Sequence, residues 1–409
     1  MQEIKNKFHL INAYLACWWY GFPGRKIKVI GVTGTDGKTT TTSLIYHILK
    51  NCNIKASMIT TIYANIGGKI YDTGLHTTTP DPWSIQKYLA KAYSEGCEYF
   101  ILETTSHALD QNRVWGIDFH SSVITNVTQE HLDYHKTFGN YLKAKAELLL
   151  NSKTCYINRD DDSFEELAKI LSENNIKFKT YGLKNKSDFN WQKNTKTKLL
   201  GEINKYNILS AIAVLSDSNI SDKDMKNAIS SFESPKGRME IAYKKAFTVI
   251  VDFAHTPNSI FNALQTIRQE YVNGQGRLIH VFGSAGKRDE GKRPMMGEAS
   301  GRFSDLVILT EEDHRTERAE LIIEQISYGL LRNGFKYLMP QVFKTTKEDK
   351  VYTSIIDREK AISLAIAMAK KGDVIAITGK SHEKSLCRGE VECPWDEFEA
   401  VKRAVKSKK

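Results

Sequence analysis

At 409 residues, with 41% hydrophobic and 26% charged side chains, the chain has the composition of a folded globular protein and enough length for two or three domains, each with its own core. The net charge of +10 favours anionic partners, but the lysines are scattered and only Lys406, Lys408 and Lys409 form a short cluster, so a nucleic-acid groove is not expected. The dispersed cysteines form no C-x-x-C pair, which excludes a disulfide scaffold and a structural zinc and fits a reducing, cytoplasmic setting; no apolar run reaches membrane-spanning length.

The chain opens on an aromatic-rich stretch that includes Tyr14, Trp18, Trp19 and Tyr20. It is too short and interrupted for a signal peptide, and two readings remain for the segment 1–26: a helix packed on the core or an interfacial patch of Trp and Tyr, with packing favoured because one helical turn of aromatics makes a small anchor. From residue 27, strands are expected at 28–32, 57–61, 99–103 and 122–125, alternating with helices at 41–51, 83–95 and 139–150. The rhythm continues with a strand at 154–157, a helix at 162–174 and a strand at 178–181; a polar stretch at 187–197 then precedes helices at 204–216 and 221–232. Ser234-Pro235-Lys236-Gly237 marks a domain boundary. Beyond it, strands at 248–252, 277–282, 306–310 and 373–378 alternate with helices at 259–270, 292–303, 358–370 and 395–406. The pattern predicts an α/β protein: a first domain over 27–234 with a mainly parallel sheet, and a smaller α/β domain with its own sheet over 235–409.

The segment from Val29 to Thr42 is a strand, a glycine loop and a helix start. In Gly34-Thr35-Asp36-Gly37-Lys38-Thr39-Thr40 the backbone N–H groups and the helix dipole favour a phosphate, Lys38 would reach its β/γ groups, and the Thr39 hydroxyl would meet Mg²⁺. The strict P-loop pattern wants glycine where Val32 stands. Glu103 closes an apolar strand, where ligands of open α/β sheets sit, and is placed to hold Mg²⁺. His131, in another strand-end turn, reads either as a metal ligand or as a satisfied loop residue.

Taken together, the glycine loop, Glu103 with Ser106-His107-Ala108-Leu109, and Asn126 with His131-Leu132-Asp133-Tyr134-His135 resemble the Mur ligase family, closest to the branch that adds the third residue to UDP-N-acetylmuramoyl-L-Ala-D-Glu. The resemblance implies a central P-loop ATPase domain over 27–234 and a smaller C-terminal Rossmann-like α/β domain over 235–409, with ATP and Mg²⁺ as cofactors and Thr39, Glu103, His131 and a carbamylated Lys145 around the metal. It implies that Asn126 and, through the adenine, Asn207 contact the nucleotide, joined by Arg238, Asp252 and His255 when the C-terminal domain closes. Thr77, Thr78, Thr79, Thr105, Ser106, Gln111 and Arg113 match segments that touch the muramyl substrate. Arg288, Asp313, Arg315, Gly379 and Glu383 match those that hold the incoming amino acid. Two arginines favour an amino acid with an extra carboxylate, which points to meso-diaminopimelate, with L-Lys or another diamino acid as alternatives.

The implied partners are small molecules, namely ATP, a muramyl-dipeptide-like acceptor and a diamino acid, handled by a cytoplasmic monomer without nucleic acid; membrane association is not expected but stays open. Two departures stand out. Asp313-His314 replaces the family's Asn-Pro, and Ser381 replaces the second glycine of its Gly-Lys-Gly-His-Glu motif. The segment 1–26 is also too short to form the UDP-binding domain that family members carry, so its aromatics are expected to form a remnant platform, for the sugar nucleotide or against the central domain. The alternatives are a folylpolyglutamate- or cyanophycin-type ligase, which shares the loop and the lysine, or a non-catalytic, partner-dependent subunit.

Overall fold

The computed structural model describes residues 2–74, 78–272, 274 and 276–408, with side chains from Asn6 onward. The chain divides into two compact units: one runs through Leu199 and includes Ile203–Glu233, the other takes Leu200–Glu202 and the chain from Ser234 on.

In the first unit, strands β1 (Lys28–Thr33), β2 (Ala56–Ile59), β3 (Ala64–Ile66), β4 (Lys69–Tyr71), β5 (Tyr99–Glu103), β6 (Phe119–Ile124), β7 (Cys155–Asn158), β8 (Phe178–Gly182) and β9 (Phe189–Asn190) form one sheet in the order β4-β3-β2-β5-β1-β6-β7-β8-β9. Pairing is parallel from β2 through β9. The expected parallel sheet gains an antiparallel edge, because β3 and β4 fold back as a hairpin over Gly67-Gly68. Both glycines have positive φ, the conformation such a tight turn demands.

Alternate residues of the central strands feed two cores. Ile30, Val32 and Ile101 pack with Leu44, Ile45 and Ile48 of helix Lys38–Asn51, while Val29, Phe100 and Leu102 pack with Ile85 and Leu89 of helix Pro82–Ser94. Burial on both faces is why these strands read as continuous apolar runs.

The second unit carries β10 (Glu240–Lys244), β11 (Thr248–Asp252), β12 (Leu278–Phe282), β13 (Leu306–Leu309), β14 (Lys336–Tyr337), β15 (Val351–Ser354) and β16 (Val374–Thr378), in the order β10-β11-β16-β12-β13-β15-β14. β10 runs antiparallel to β11 and the others are parallel. Helix Ala319–Arg332 and strand β15 fall in a stretch the sequence reading leaves blank, although Ile322, Ile323, Ile326 and Leu330 form a helical stripe that is buried here.

The N-terminal segment is a helix, Gln2–Trp19, and it does pack on the first unit, but by its small side. Ala13, Ala16 and Cys17 are fully buried, and the Cys17 Sγ would lie 2.7 Å from a Cβ at Gly116, so glycine there permits the approach. Trp18 and Trp19 are 65% and 69% exposed, which corrects the expectation that the aromatics pack inward. Tyr14 rests against Trp115, and Tyr20 against Trp83. Among the described residues, no helix is long and apolar enough to cross a membrane.

Candidate active site

The carboxyl end of β1 turns into helix Lys38–Asn51 through Gly34 (φ 144°) and Gly37 (φ 85°). Neither tolerates a side chain. A Cβ on Gly34 would sit 1.8 Å from Thr125 Oγ1, and one on Gly37 would sit 2.2 Å from Asn207 Oδ1. Gly34→Ala should therefore lower stability by about 2–4 kcal/mol, combining backbone strain with a steric clash. A melting point equal to wild type would overturn that account.

The loop is laced from below. Asn126 Oδ1 accepts from Asp36 N at 2.9 Å and its Nδ2 donates to Asp36 O at 3.1 Å, while Thr35 N donates to Asn126 O at 2.9 Å. Thr125 Oγ1 donates to Asp36 O at 2.6 Å, and the Thr35 hydroxyl lies 3.0 Å from Tyr141 Oη. Lys38 Nζ donates to Gly34 O and Thr35 O, both at 2.9 Å, so its ammonium is held over the turn. These bonds fix the loop before any anion arrives, which is the preorganisation a phosphate site needs.

Lys145, on helix Phe138–Leu150, donates its Nζ to the same Gly34 O at 2.6 Å and lies over the Tyr141 ring, with 1% of the residue exposed. Burial, then repulsion from Lys38, pushes its pKa well below the ordinary lysine value, against the pull of Glu130 and Asp36. Lys143, two residues earlier and on the other side of the helix, is exposed.

Glu103, 1% exposed, closes β5 beside the loop. Its Oε1 accepts from Thr39 Oγ1 at 3.0 Å and Thr61 Oγ1 at 2.8 Å, and its Oε2 from Thr61 N at 2.9 Å. Thr78 Oγ1 lies 3.1 Å from Thr61 Oγ1, and Thr79 Oγ1 donates to Glu103 O at 2.9 Å and accepts from Thr105 N at 3.0 Å. A carboxylate and hydroxyl oxygens form a hard donor set that fits Mg²⁺, which takes few protein ligands beside phosphate and water. Among the described residues, no three His, Cys, Asp or Glu side chains converge as a ready metal cage.

His131 caps a one-turn helix in left-handed conformation (φ 57°), its ring edge-on to His107 at 4.7 Å and to Tyr141 at 6.2 Å. Ser106 bonds His135 Nε2 at 3.0 Å, and burial lowers the pKa of that imidazole. Arg113 clasps Gln111 Oε1 through Nε and Nη2 and reaches Thr79 O through Nη1 at 2.8 Å, so these acceptor-segment residues form one patch with Thr79. Tyr134 Oη donates to Asp110 Oδ2 at 2.6 Å; burial, with that bond, pushes its pKa up to about 12. Thr77 lies outside the described residues.

Asn207 sits inside helix Glu202–Val214 rather than at its N-cap, with Nδ2 on Asn204 Oδ1 and Oδ1 facing Gly37. Thr61, Thr125 and Tyr141, which the sequence reading does not single out, are structural partners of the loop and the carboxylate.

In the second unit the strand ends gather a charged cluster. Lys380, fully buried, donates to Asp313 Oδ1 at 2.8 Å and pairs with Glu383. Glu312 is buried, with Oε2 left without a hydrogen-bond partner and 2.6 Å from where a Cβ on Gly379 (φ 109°) would be; burial, then Asp313, raises its pKa. Arg315, φ 52°, donates to Gly286 O at 2.6 Å, and Arg288 is exposed on the same 283–291 loop. Asp252 accepts from Met239 N and Ala254 N, Arg238 lies over Phe253, and His255 Nδ1 lies 2.9 Å from Phe253 O. Ser381 has a positive φ (51°), a conformation that favours glycine, and its hydroxyl donates to Gly237 O at 2.6 Å.

A family model described as the Mur ligase middle domain matches residues 32–215, and one described as Mur ligase, glutamate ligase domain, matches residues 237–381. A UDP-N-acetylmuramoyl-L-alanyl-D-glutamate–2,6-diaminopimelate ligase of Aquifex aeolicus is 38% identical over 406 residues, covering 95% of this chain and 79% of that enzyme. A ligase of the same name from Clostridium tetani is 36% identical over 426 residues, covering 98% and 82%. Among solved structures, a ligase of that name is 27% identical with a TM-score of 0.59, over 93% of this chain and 78% of that one. The folylpolyglutamate synthase of Mycobacterium tuberculosis, solved with ADP and AMPPCP, shares the fold at 16% identity and a TM-score of 0.71, over 91% and 93%.

Proposed function

Because the chain belongs to the Mur ligase family, we propose that it is an ATP-dependent ligase that joins meso-diaminopimelate to UDP-N-acetylmuramoyl-L-Ala-D-Glu in the cytoplasmic stage of peptidoglycan precursor synthesis. The observation that carries this reading is the convergence of Lys38 and Lys145 on one carbonyl, Gly34 O, beside the Glu103–Thr39 pair. That arrangement suits activation of a carboxylate by a nucleoside triphosphate.

A substrate carboxylate oxygen attacks the γ-phosphorus of ATP, and the β–γ bridging bond breaks to release ADP and an acyl phosphate. The amine of the second substrate then attacks the acyl carbon, loses a proton and expels inorganic phosphate. Lys38 and the loop N–H groups neutralise charge on the transferring group. Thr39 and Glu103, with His131, would hold Mg²⁺, which supplies Lewis-acid charge neutralisation at the phosphates. No side-chain nucleophile is required.

The depressed pKa of Lys145 supports a further assignment. A neutral amine adds CO₂ to give a carbamate and one proton, exchanging a cation that repels Lys38 for an anion that attracts it. In the second unit, Arg288 and Arg315 would take the distal carboxylate of diaminopimelate, and Asp313 and Glu383 its ammonium end.

The direct test measures phosphate release from ATP with the UDP-muramoyl dipeptide and each of meso-diaminopimelate, L-Lys and L-ornithine. Release is expected with diaminopimelate and only when the dipeptide is present. No release with any combination would end the ligase reading.

A further inference from the structure

A surface helix ordinarily turns its large apolar residues to the core. Helix Gln2–Trp19 does the reverse. Its small residues, Ala13, Ala16 and Cys17, are buried, while Phe8, Ile11, Leu15 and Trp18 form an exposed stripe at i, i+3, i+7 and i+10, continued by Trp19. The orientation is fixed by polar ties: Asn12 Oδ1 accepts from Trp83 Nε1 at 2.8 Å, and Asn6 Nδ2 donates to Asp110 Oδ2 at 3.3 Å. The helix is thus held with its greasiest face outward.

We propose that this face docks onto an anionic phospholipid bilayer, lying in the plane of the headgroups. Two features choose that occupant. Tryptophan at the end of an apolar stripe suits the headgroup–acyl boundary, where its ring is half apolar and half polar. Lys7 is exposed at one end of the stripe and Lys26 beyond the other, on a chain of net charge +10, while Arg25 beside Lys26 is paired with Asp118 at 4.0 Å. Such a basic fringe complements acidic headgroups. A second copy of the chain fits less well, because a two-fold pairing of this helix sets its basic fringe against an identical one. The inference is independent of the ligase reading.

The test uses the full chain with vesicles of phosphatidylcholine alone and of phosphatidylcholine mixed with phosphatidylglycerol. Binding to the mixed vesicles should be at least about tenfold stronger and should fall as salt rises. Trp18→Ser with Trp19→Ser should cut it at least about tenfold without changing the melting temperature, since both side chains are exposed. Brominated lipid should quench wild-type fluorescence, whereas Trp18→Phe with Trp19→Phe should still bind but lose that quenching. No binding to the mixed vesicles, binding that ignores the serine substitutions, or lipid-free dimerisation abolished by them would each overturn the proposal.

Discussion

Changing Lys145 to Ala should lower turnover about a thousandfold, the size of loss seen when one preorganised charge is removed from a transition state. Millimolar formate or acetate should then restore part of it. The reasoning is electrostatic. Two lysine nitrogens share the Gly34 carbonyl, and burial and the Lys38 charge drive Lys145 toward its neutral form. A neutral amine can take up CO₂, and the resulting anion sits where a phosphate-bound cation needs support. A short carboxylate diffusing into the space left by Ala mimics that anion.

Lys145→Met should be equally inactive but refractory to rescue, because the thioether fills the space. Its melting temperature should change little, since the thioether fills the space and Gly34 O, which loses the bond from Lys145, keeps the one from Lys38. Steady-state phosphate release with and without added carboxylate is the measurement. Wild-type turnover in Lys145→Ala would sink the carbamate assignment, and equal rescue of both variants would show the added acid acting elsewhere.

The alternating pattern made most of both sheets legible. Strands such as Tyr99–Glu103 and Thr248–Asp252 are apolar runs buried on both faces, and their carboxyl ends mark where the site lies. The Ala64–Tyr71 hairpin is short, and its signal is the Gly67-Gly68 turn rather than any periodicity. Lys145 is singled out by the family likeness and not by the helix pattern, because a lysine on a helix is ordinarily solvated. Its place at i+4 from Tyr141 and i+3 from Leu142 agrees with the burial the structure gives it. Lys143 has no such spacing and is solvated.

What the pattern cannot reveal is which side chains meet across the sheet. Thr61 and Glu103 are 42 positions apart and touch only because β2 pairs with β5. The N-terminal helix misleads for a different reason. Hydrophobicity alone points its tryptophans inward, but the close approach allowed by Gly116 gives the inner side to Ala and Cys.

Glu103→Gln is expected to separate the fold from the chemistry. The glutamine keeps an oxygen to accept from Thr61 N, and the Thr39 and Thr61 hydroxyls can rotate to accept from its amide, so the local hydrogen bonds survive. The stability change should stay within about 1 kcal/mol. The charge does not survive. A buried neutral amide is a poor ligand for a hard divalent cation, so the Mg²⁺ concentration for half-maximal rate should rise at least about tenfold, and turnover at saturating Mg²⁺ should drop about a hundredfold or more. Thr39→Val, which removes one hydroxyl and leaves the carboxylate, should shift the Mg²⁺ dependence in the same direction by less. Magnesium titrations of both variants decide the matter. A Glu103→Gln enzyme that loses turnover with an unchanged Mg²⁺ midpoint would make Glu103 a brace for the Thr39–Thr61 hydroxyls, and the metal would have to be held by other residues.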